Sequence, residues 1–139
     1  FICEFNSILG DKKAISVPYY EKFNRYKFHK SNLAFGASLE AFKFLAKKKG
    51  YKFIGTNSNG VNAYFIKDKY YKFIKKRILS IRSFSSKIKE SRNKDYKKSF
   101  ISGDDRFNYI KGLKFFDVKK KELIKLDDIS KFYSKDWKY

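Results

Sequence analysis

The sequence contains no methionine and only one proline, one cysteine and one histidine in 139 residues. Each scarcity excludes something. With Cys3 as the only thiol no internal disulfide can form, which fits a reducing, cytoplasmic setting. With His29 as the only imidazole and no second ligand nearby, neither a zinc site nor a Ser/His/Asp triad has its parts. No apolar run approaches the roughly 18 residues of a membrane span. A basic start followed by an apolar core and a small-residue cleavage site would mark a signal peptide, and none is visible. A chain that opens on Phe1 is expected to continue a longer product. The strand-like FICEF opening sets Phe1, Ile2, Cys3 and Phe5 where they need upstream partners.

Acidic residues are also few, 14 against 34 Lys and Arg, for a net charge of +20. Such a charge attracts nucleic acid and anionic lipid. Yet only 5 of the 34 basic residues are Arg, the residue that bidentate phosphate and base recognition prefers. Lys, Ile, Phe, Tyr and Asn are all abundant, as AT-rich codons make them. Compositional drift with a solvated lysine surface is therefore the simpler reading. A basic module for nucleic acid or anionic membrane is the alternative.

What is plentiful is core material, 16 Phe and 11 Tyr. A chain of this length suits one domain and can hide roughly two-thirds of its surface. FICEFNS (1–7) reads as a buried strand with a polar end. AISVPYY (14–20) is short, extended and stopped by Pro18. Residues 21–35 are irregular, and a long irregular loop is often functional. SLEAFKFLAKKK (38–49) is the clearest helix, with Leu39, Phe42, Leu45 and Ala46 on one face. Ser38 is its N-cap, Glu40 sits in its first turn and Gly50 is its C′ stop. YKFIGT (51–56), the turn NSNG (57–60) and VNAYFIKD (61–68) form an antiparallel hairpin. Residues 69–90 carry an apolar stripe from Tyr70 to Ile88 and read as a second helix. Its lysines mostly lie off that stripe, so packing on a sheet is favoured over membrane-surface contact. Residues 91–99 are polar. Ser102 and Asp105 resemble a capping box opening a helix to Lys111, stopped by Gly112. LKFFDV (113–118) and ELIKL (122–126) pair around a lysine-rich turn.

Certain words and their order resemble a known family. Glu4-Phe5-Asn6-Ser7, Val17-Pro18-Tyr19, Gly36-Ala37-Ser38-Leu39, Gly50-Tyr51 and Gly60-Val61-Asn62-Ala63-Tyr64-Phe65 look like the carboxy-terminal part of bacterial FkbM-like SAM-dependent methyltransferases. The closer likeness is to a poorly characterised branch of them. The tail at 91–118 continues the likeness, which covers most of the chain. The resemblance implies an α/β fold: the carboxy-terminal part of a Rossmann-like methyltransferase sheet with a terminal antiparallel hairpin, plus a basic α-helical tail. Residues 1–68 would be the methyltransferase part and 69–139 a basic helical and hairpin extension packed on it. FICEFN would be the fifth strand, YKFIGT the sixth and VNAYFIKD the seventh.

The resemblance also implies S-adenosyl-L-methionine as cofactor and a small-molecule or glycan-type acceptor. The seven glycines are scattered, and no Gly-rich loop follows a strand. This chain is therefore expected to be the substrate-side portion of the enzyme, inactive alone. Ligands of such folds sit outside the carboxyl ends of the strands. That rule points to Glu4, which could act as a base or orient a hydroxyl. Alternation would set Asn6 on the same strand face as Glu4, opposite Cys3 and Phe5. His29 is a candidate catalytic residue on the loop over the cleft. Tyr19, Arg25 and Asn62 complete the substrate-binding candidates with Asn6: Arg25 because guanidinium holds carboxylate or phosphate, Asn62 because it is polar at the start of an apolar strand. For each, an ordinary loop or strand-end role is the competing reading.

Overall fold

The computed structural model describes residues 1–78, 90–92, 98–100 and 103–137. The described elements run β1 (Ile2–Glu4), a 3-10 turn (Ser7–Leu9), β2 (Ile15–Ser16), α1 (Arg25–Phe28), α2 (Leu39–Lys48), β3 (Tyr51–Thr56), β4 (Asn62–Lys67) and α3 (Asp68–Ile74). Then follow a 3-10 turn (Lys75–Arg77), β5 (Glu90–Arg92), β6 (Lys98–Phe100), α4 (Gly103–Ile110), β7 (Lys114–Asp117) and β8 (Glu122–Lys125). Two more 3-10 turns, Ile129–Lys131 and Lys135–Trp137, close the described chain. The chain is mixed α/β, and its larger sheets are two three-stranded antiparallel ones. Among the described residues, no helix is long and apolar enough to cross a membrane.

In the first sheet β4 lies between β1 and β3 and is antiparallel to both. β1 and β3 therefore run the same way, with the last strand of the three inserted between them. The hairpin turn is built by Asn57, whose Oδ1 accepts the N–H groups of Val61 and Asn62, both at 3.0 Å. Gly60 (φ 64) supplies the left-handed residue that such a turn needs.

β1 corrects the expectation of a buried strand. Ile2 is 64% exposed and Glu4 is also exposed, while Cys3 is half-buried and Phe5 lies in the core. The strand ends at Glu4, so its alternation stops there. Asn6 turns inward as the N-cap of the following 3-10 turn instead of sharing the outer face of Glu4.

The second sheet, in order β2, β7, β8, sets Ile15 opposite Asp117, far along the chain, and Phe115 opposite Ile124 in a local hairpin. The lysine-rich turn at 119–121 is held by Asp117, whose Oδ1 accepts from the N–H groups of Lys119 and Lys120. α2 starts and stops as its sequence implies. The Ser38 hydroxyl accepts from Ala41 N–H at 3.2 Å, and Gly50 beyond the C-cap takes φ 72. The same hydroxyl accepts from Ile15 N–H and donates to the Lys13 carbonyl, so one side chain ties α2 to β2. The buried side of α2 is Leu39, Ala41 and Ala46, with Phe42 packed against the core. Leu45, expected on that side, is exposed. It sits roughly 100° round the helix from Ala46, past the edge of the contact.

α3 is shorter than its apolar periodicity suggests. Its helix stops at Ile74, and Ile78 is extended (φ −87, ψ 100). Lys75–Arg77 continue it only as a 3-10 turn. Tyr70 and Phe73 on the expected packing stripe are exposed rather than buried. Residues 79–89 of the expected helix lie outside the described residues, as does Ser102 of the expected capping box. Glu90 to Arg92, at the end of that helix reading, instead pair with Lys98 to Phe100 as antiparallel strands.

A single buried cluster spans both halves of the sequence. It joins Phe5, Ile8, Leu9, Leu33, Leu39 and Phe65 to Phe107, Phe115, Leu126, Phe132 and Trp137. The terminal segment folds back over the first 3-10 turn. Tyr133 Oη donates to the Ile8 carbonyl at 2.8 Å, and Trp137 Nε1 donates to the Ser7 carbonyl at 2.9 Å.

Candidate functional site

Three of the sequence's candidates meet at one end of the first sheet. Glu4 ends β1 and Asn62 begins β4, and the two are direct cross-strand partners. Since β3 runs with β1, its last residue Thr56 lies at the same end. This is the carboxyl end of the two co-directional strands. The Glu4 carboxylate is exposed, and it attracts Arg25. Neither the Glu4 carboxylate nor the Asn62 amide hydrogen-bonds to another described residue, so both can meet a ligand.

Arg25 is placed by its own segment. Asn24 caps α1, its Oδ1 accepting from the N–H groups of Tyr26 and Lys27. The Arg25 guanidinium lies 3.9 Å from the centre of the Phe35 ring, a cation–π contact. Its Nε donates to the Asn32 carbonyl. Burial lowers the hold of Arg25 on its proton, Tyr26 and Glu4 raise it, and Arg106 lowers it again. A guanidinium remains charged through such shifts. Arg106, buried on α4, thus brings a second cation to the same neighbourhood.

Asn6 organises this corner. Its amide nitrogen donates to the carbonyls of Leu33 and Phe35, at 2.8 and 2.9 Å, and its Oδ1 accepts from Ile8 N–H. Both amide hydrogens are thereby used inside the protein, and the side chain is 1% exposed. It holds the strand end to the segment that carries the Phe35 platform.

His29 follows α1 as its C-cap. Ser31 N–H donates to Nδ1 at 3.3 Å, and the Ser31 hydroxyl lies 2.7 Å from the same nitrogen. An accepting Nδ1 places the ring proton on Nε2. Burial pulls the imidazole below its ordinary value, and the neighbouring Lys30 pulls it further. The ring is therefore neutral near pH 7, with Nδ1 occupied locally.

Tyr19 is 89% exposed and lines a cleft beside the second sheet. The Cys3 thiol is pushed up by burial, with the amino-terminal charge opposing, so it is a weak nucleophile.

Two contributors escaped the sequence reading, Phe35 and Arg106. Arginine is scarce in this chain, and that scarcity was the available signal for Arg106. Nothing local marked Phe35 among 16 phenylalanines. Chemically the corner offers an exposed carboxylate, a half-buried amide and the Arg25 guanidinium, while buried Arg106 adds only its charge. Such a set can orient a hydroxylated or anionic molecule. Among the described residues, no group of three or more His, Cys, Asp or Glu could hold a metal ion. Among the described residues no Gly-rich turn links a strand to a helix. Compared with protein-family models, with curated proteins and with solved structures, the chain finds no match in any of the three.

Proposed function

We propose that this chain is the substrate-side portion of an FkbM-like SAM-dependent methyltransferase acting on a small-molecule or glycan-type acceptor. The observation that carries the reading is the order of the first sheet, β1-β4-β3, with the last strand inserted antiparallel between two co-directional ones. That arrangement agrees with the fifth, seventh and sixth strands of a Rossmann-like methyltransferase sheet. The words Glu4-Phe5-Asn6-Ser7 and Gly60-Val61-Asn62-Ala63 fall on its rim. In such sheets ligands bind outside the carboxyl strand ends, where Glu4 and Asn62 stand together. The free edge of β1, with Ile2 exposed beside it, is where the preceding strands would add.

On this reading Glu4 is the acid–base or hydroxyl-orienting group and Asn62 a hydrogen-bonding contact to the acceptor. Arg25, stacked on Phe35, holds any anionic group of the acceptor. Asn6 is a positioning residue, and His29 shapes the loop over the rim. The cofactor loop belongs to a segment outside this chain, so no step of methyl transfer is derived from these residues.

The test is calorimetric titration of S-adenosyl-L-methionine into the complete gene product and into this chain. Saturable binding to the product and none to the chain is expected. A complete product that binds no cofactor overturns the reading.

A further inference from the structure

The β2-β7-β8 sheet has two different faces. Ile15 and Phe115 point into the core and are fully buried. On the other face Ser16, Phe116 and Leu123 stand in one row across the three strands, Ser16 paired with Phe116 and Phe116 with Leu123. This row floors a cleft of about 700 Å³. Its walls are Val17, Pro18, Tyr19, Tyr20 and Phe23, and among the described residues no charged side chain lines it. The volume lies within the roughly 300–1,000 Å³ of small-molecule sites. Leu123 is 56% exposed, so the floor is apolar surface left open to solvent.

Two of the walls are shared. Tyr20 and Phe23 also line an adjoining hollow of about 180 Å³, together with Lys22, Lys27, Asn24 and Phe28. The wall is held by its own ring contacts, Tyr20 on Phe28 at 5.7 Å and Phe23 on Phe28 at 5.5 Å. The Asn24 oxygen is already engaged in capping α1, so what the hollow offers a ligand is donors. No carboxylate lines either space. The apolar cleft therefore shares two of its wall residues with a small hollow whose lining includes two lysines.

From this shared wall, apolar on one side and lined by lysines on the other, we propose that the cleft binds a single-chain anionic amphiphile. Its apolar chain would lie over Phe116 and Leu123, and its phosphate or carboxylate head between Lys22 and Lys27. Lysine serves such heads as a point charge. Binding here does not depend on methyl transfer, since none of the Glu4, Asn62 or Arg25 side chains takes part.

The experiment is calorimetry on the full chain with dodecyl phosphate below its micellar concentration. Dodecyl maltoside supplies a neutral head and inorganic phosphate a head alone. The expected result is saturable one-to-one binding of dodecyl phosphate, with inorganic phosphate at least about 100-fold weaker. The Lys22→Ala/Lys27→Ala pair should weaken dodecyl phosphate about tenfold and leave dodecyl maltoside unchanged. Leu123→Glu should weaken both amphiphiles about tenfold or more. These three side chains are exposed, so the variants keep the fold, which circular dichroism checks. Binding of many molecules per chain overturns the proposal, as does equal affinity for inorganic phosphate. So does the same loss from Lys47→Ala/Lys48→Ala on α2. Adsorption to phosphatidylglycerol vesicles that ignores Leu123→Glu, with no one-to-one site, would instead mean a charge-driven membrane surface.

Discussion

Gly10 faces the backbone of Phe132 so closely that a Cβ on it would lie 2.2 Å from the Phe132 carbonyl oxygen. Its own conformation, φ 77 and ψ −170, is one that glycine alone adopts readily. Asp11 and Lys12 N–H both donate to the same carbonyl, so the Phe132 backbone cannot retreat without losing them. Gly10→Ala should therefore cost about 3 kcal/mol or more, from strain and overpacking together. Gly50→Ala is the comparison: φ is 72 there, but no atom lies within 4 Å of the added methyl. It should cost about 1–2 kcal/mol. Urea unfolding of the two variants measures the difference, and equal losses would refute the close approach.

Asn6 is the second point of vulnerability. Asn6→Ala leaves the Leu33 and Phe35 carbonyls and Ile8 N–H without their partner in a buried site. A loss of about 2–4 kcal/mol is expected. Asn6→Asp keeps an acceptor for Ile8 but turns an oxygen toward two carbonyls, so near pH 7 it should be no better than alanine. Thermal melts of both variants at pH 7 check this.

Arg25→Lys separates charge from shape. A lysine keeps the positive charge facing Glu4 but cannot both lie flat on Phe35 and donate from an Nε to Asn32. Stability should fall by about 1 kcal/mol. On the proposed methyltransferase reading, KM of the complete product for an anionic acceptor should rise with kcat little changed. An unaltered KM would remove Arg25 from acceptor binding.

His29 gives the fold a dependence on acid. Its folded value lies below the ordinary value of about 6.5 kept in the unfolded chain. Above both values the ring is neutral in either state and contributes no pH dependence. As pH falls through about 6.5 the unfolded chain takes up the proton first, so stability declines. The decline ends once pH is below the folded value. His29→Asn keeps an acceptor near the Nδ1 position without the titration. Denaturant midpoints at pH 7.5, 6.5 and 5.5 should fall more for the native chain than for this variant. Parallel profiles would assign the acid sensitivity elsewhere.

What was legible in the sequence was local. Ser38, Gly50, Asn57 and Gly60 each act on a turn or cap within a few residues, and each sits as its chemistry requires. The hairpin of β3 and β4 and that of β7 and β8 need only a short turn, and both form. What escaped was set at long range. β2 is two residues long, too short to show a period, and its partner β7 lies about 100 residues on. Periodicity put Leu45 on a packing face but could not say how wide the facing surface is. The stripe after Asp68 promised a long helix, while α3 gives way to a 3-10 turn at Lys75. At the candidate site, the positions of Glu4 and Asn62 at strand ends were legible because strand ends are readable. The Phe35 platform and the inward turn of Asn6 depend on where residues 33–35 settle, which no local pattern records.

The lock between the terminal segment and the first 3-10 turn has a consequence for synthesis. Trp137 and Tyr133 are translated 130 and 125 positions after Ser7 and Ile8, the residues that they reach. Chains closed by such distant contacts fold slowly, because the loop entropy is lost before the contacts form. Until Trp137 clears the ribosome, Ile8, Leu9 and Phe5 lack their cover. The nascent chain must therefore carry an open apolar face for most of its elongation, a natural target for a chaperone.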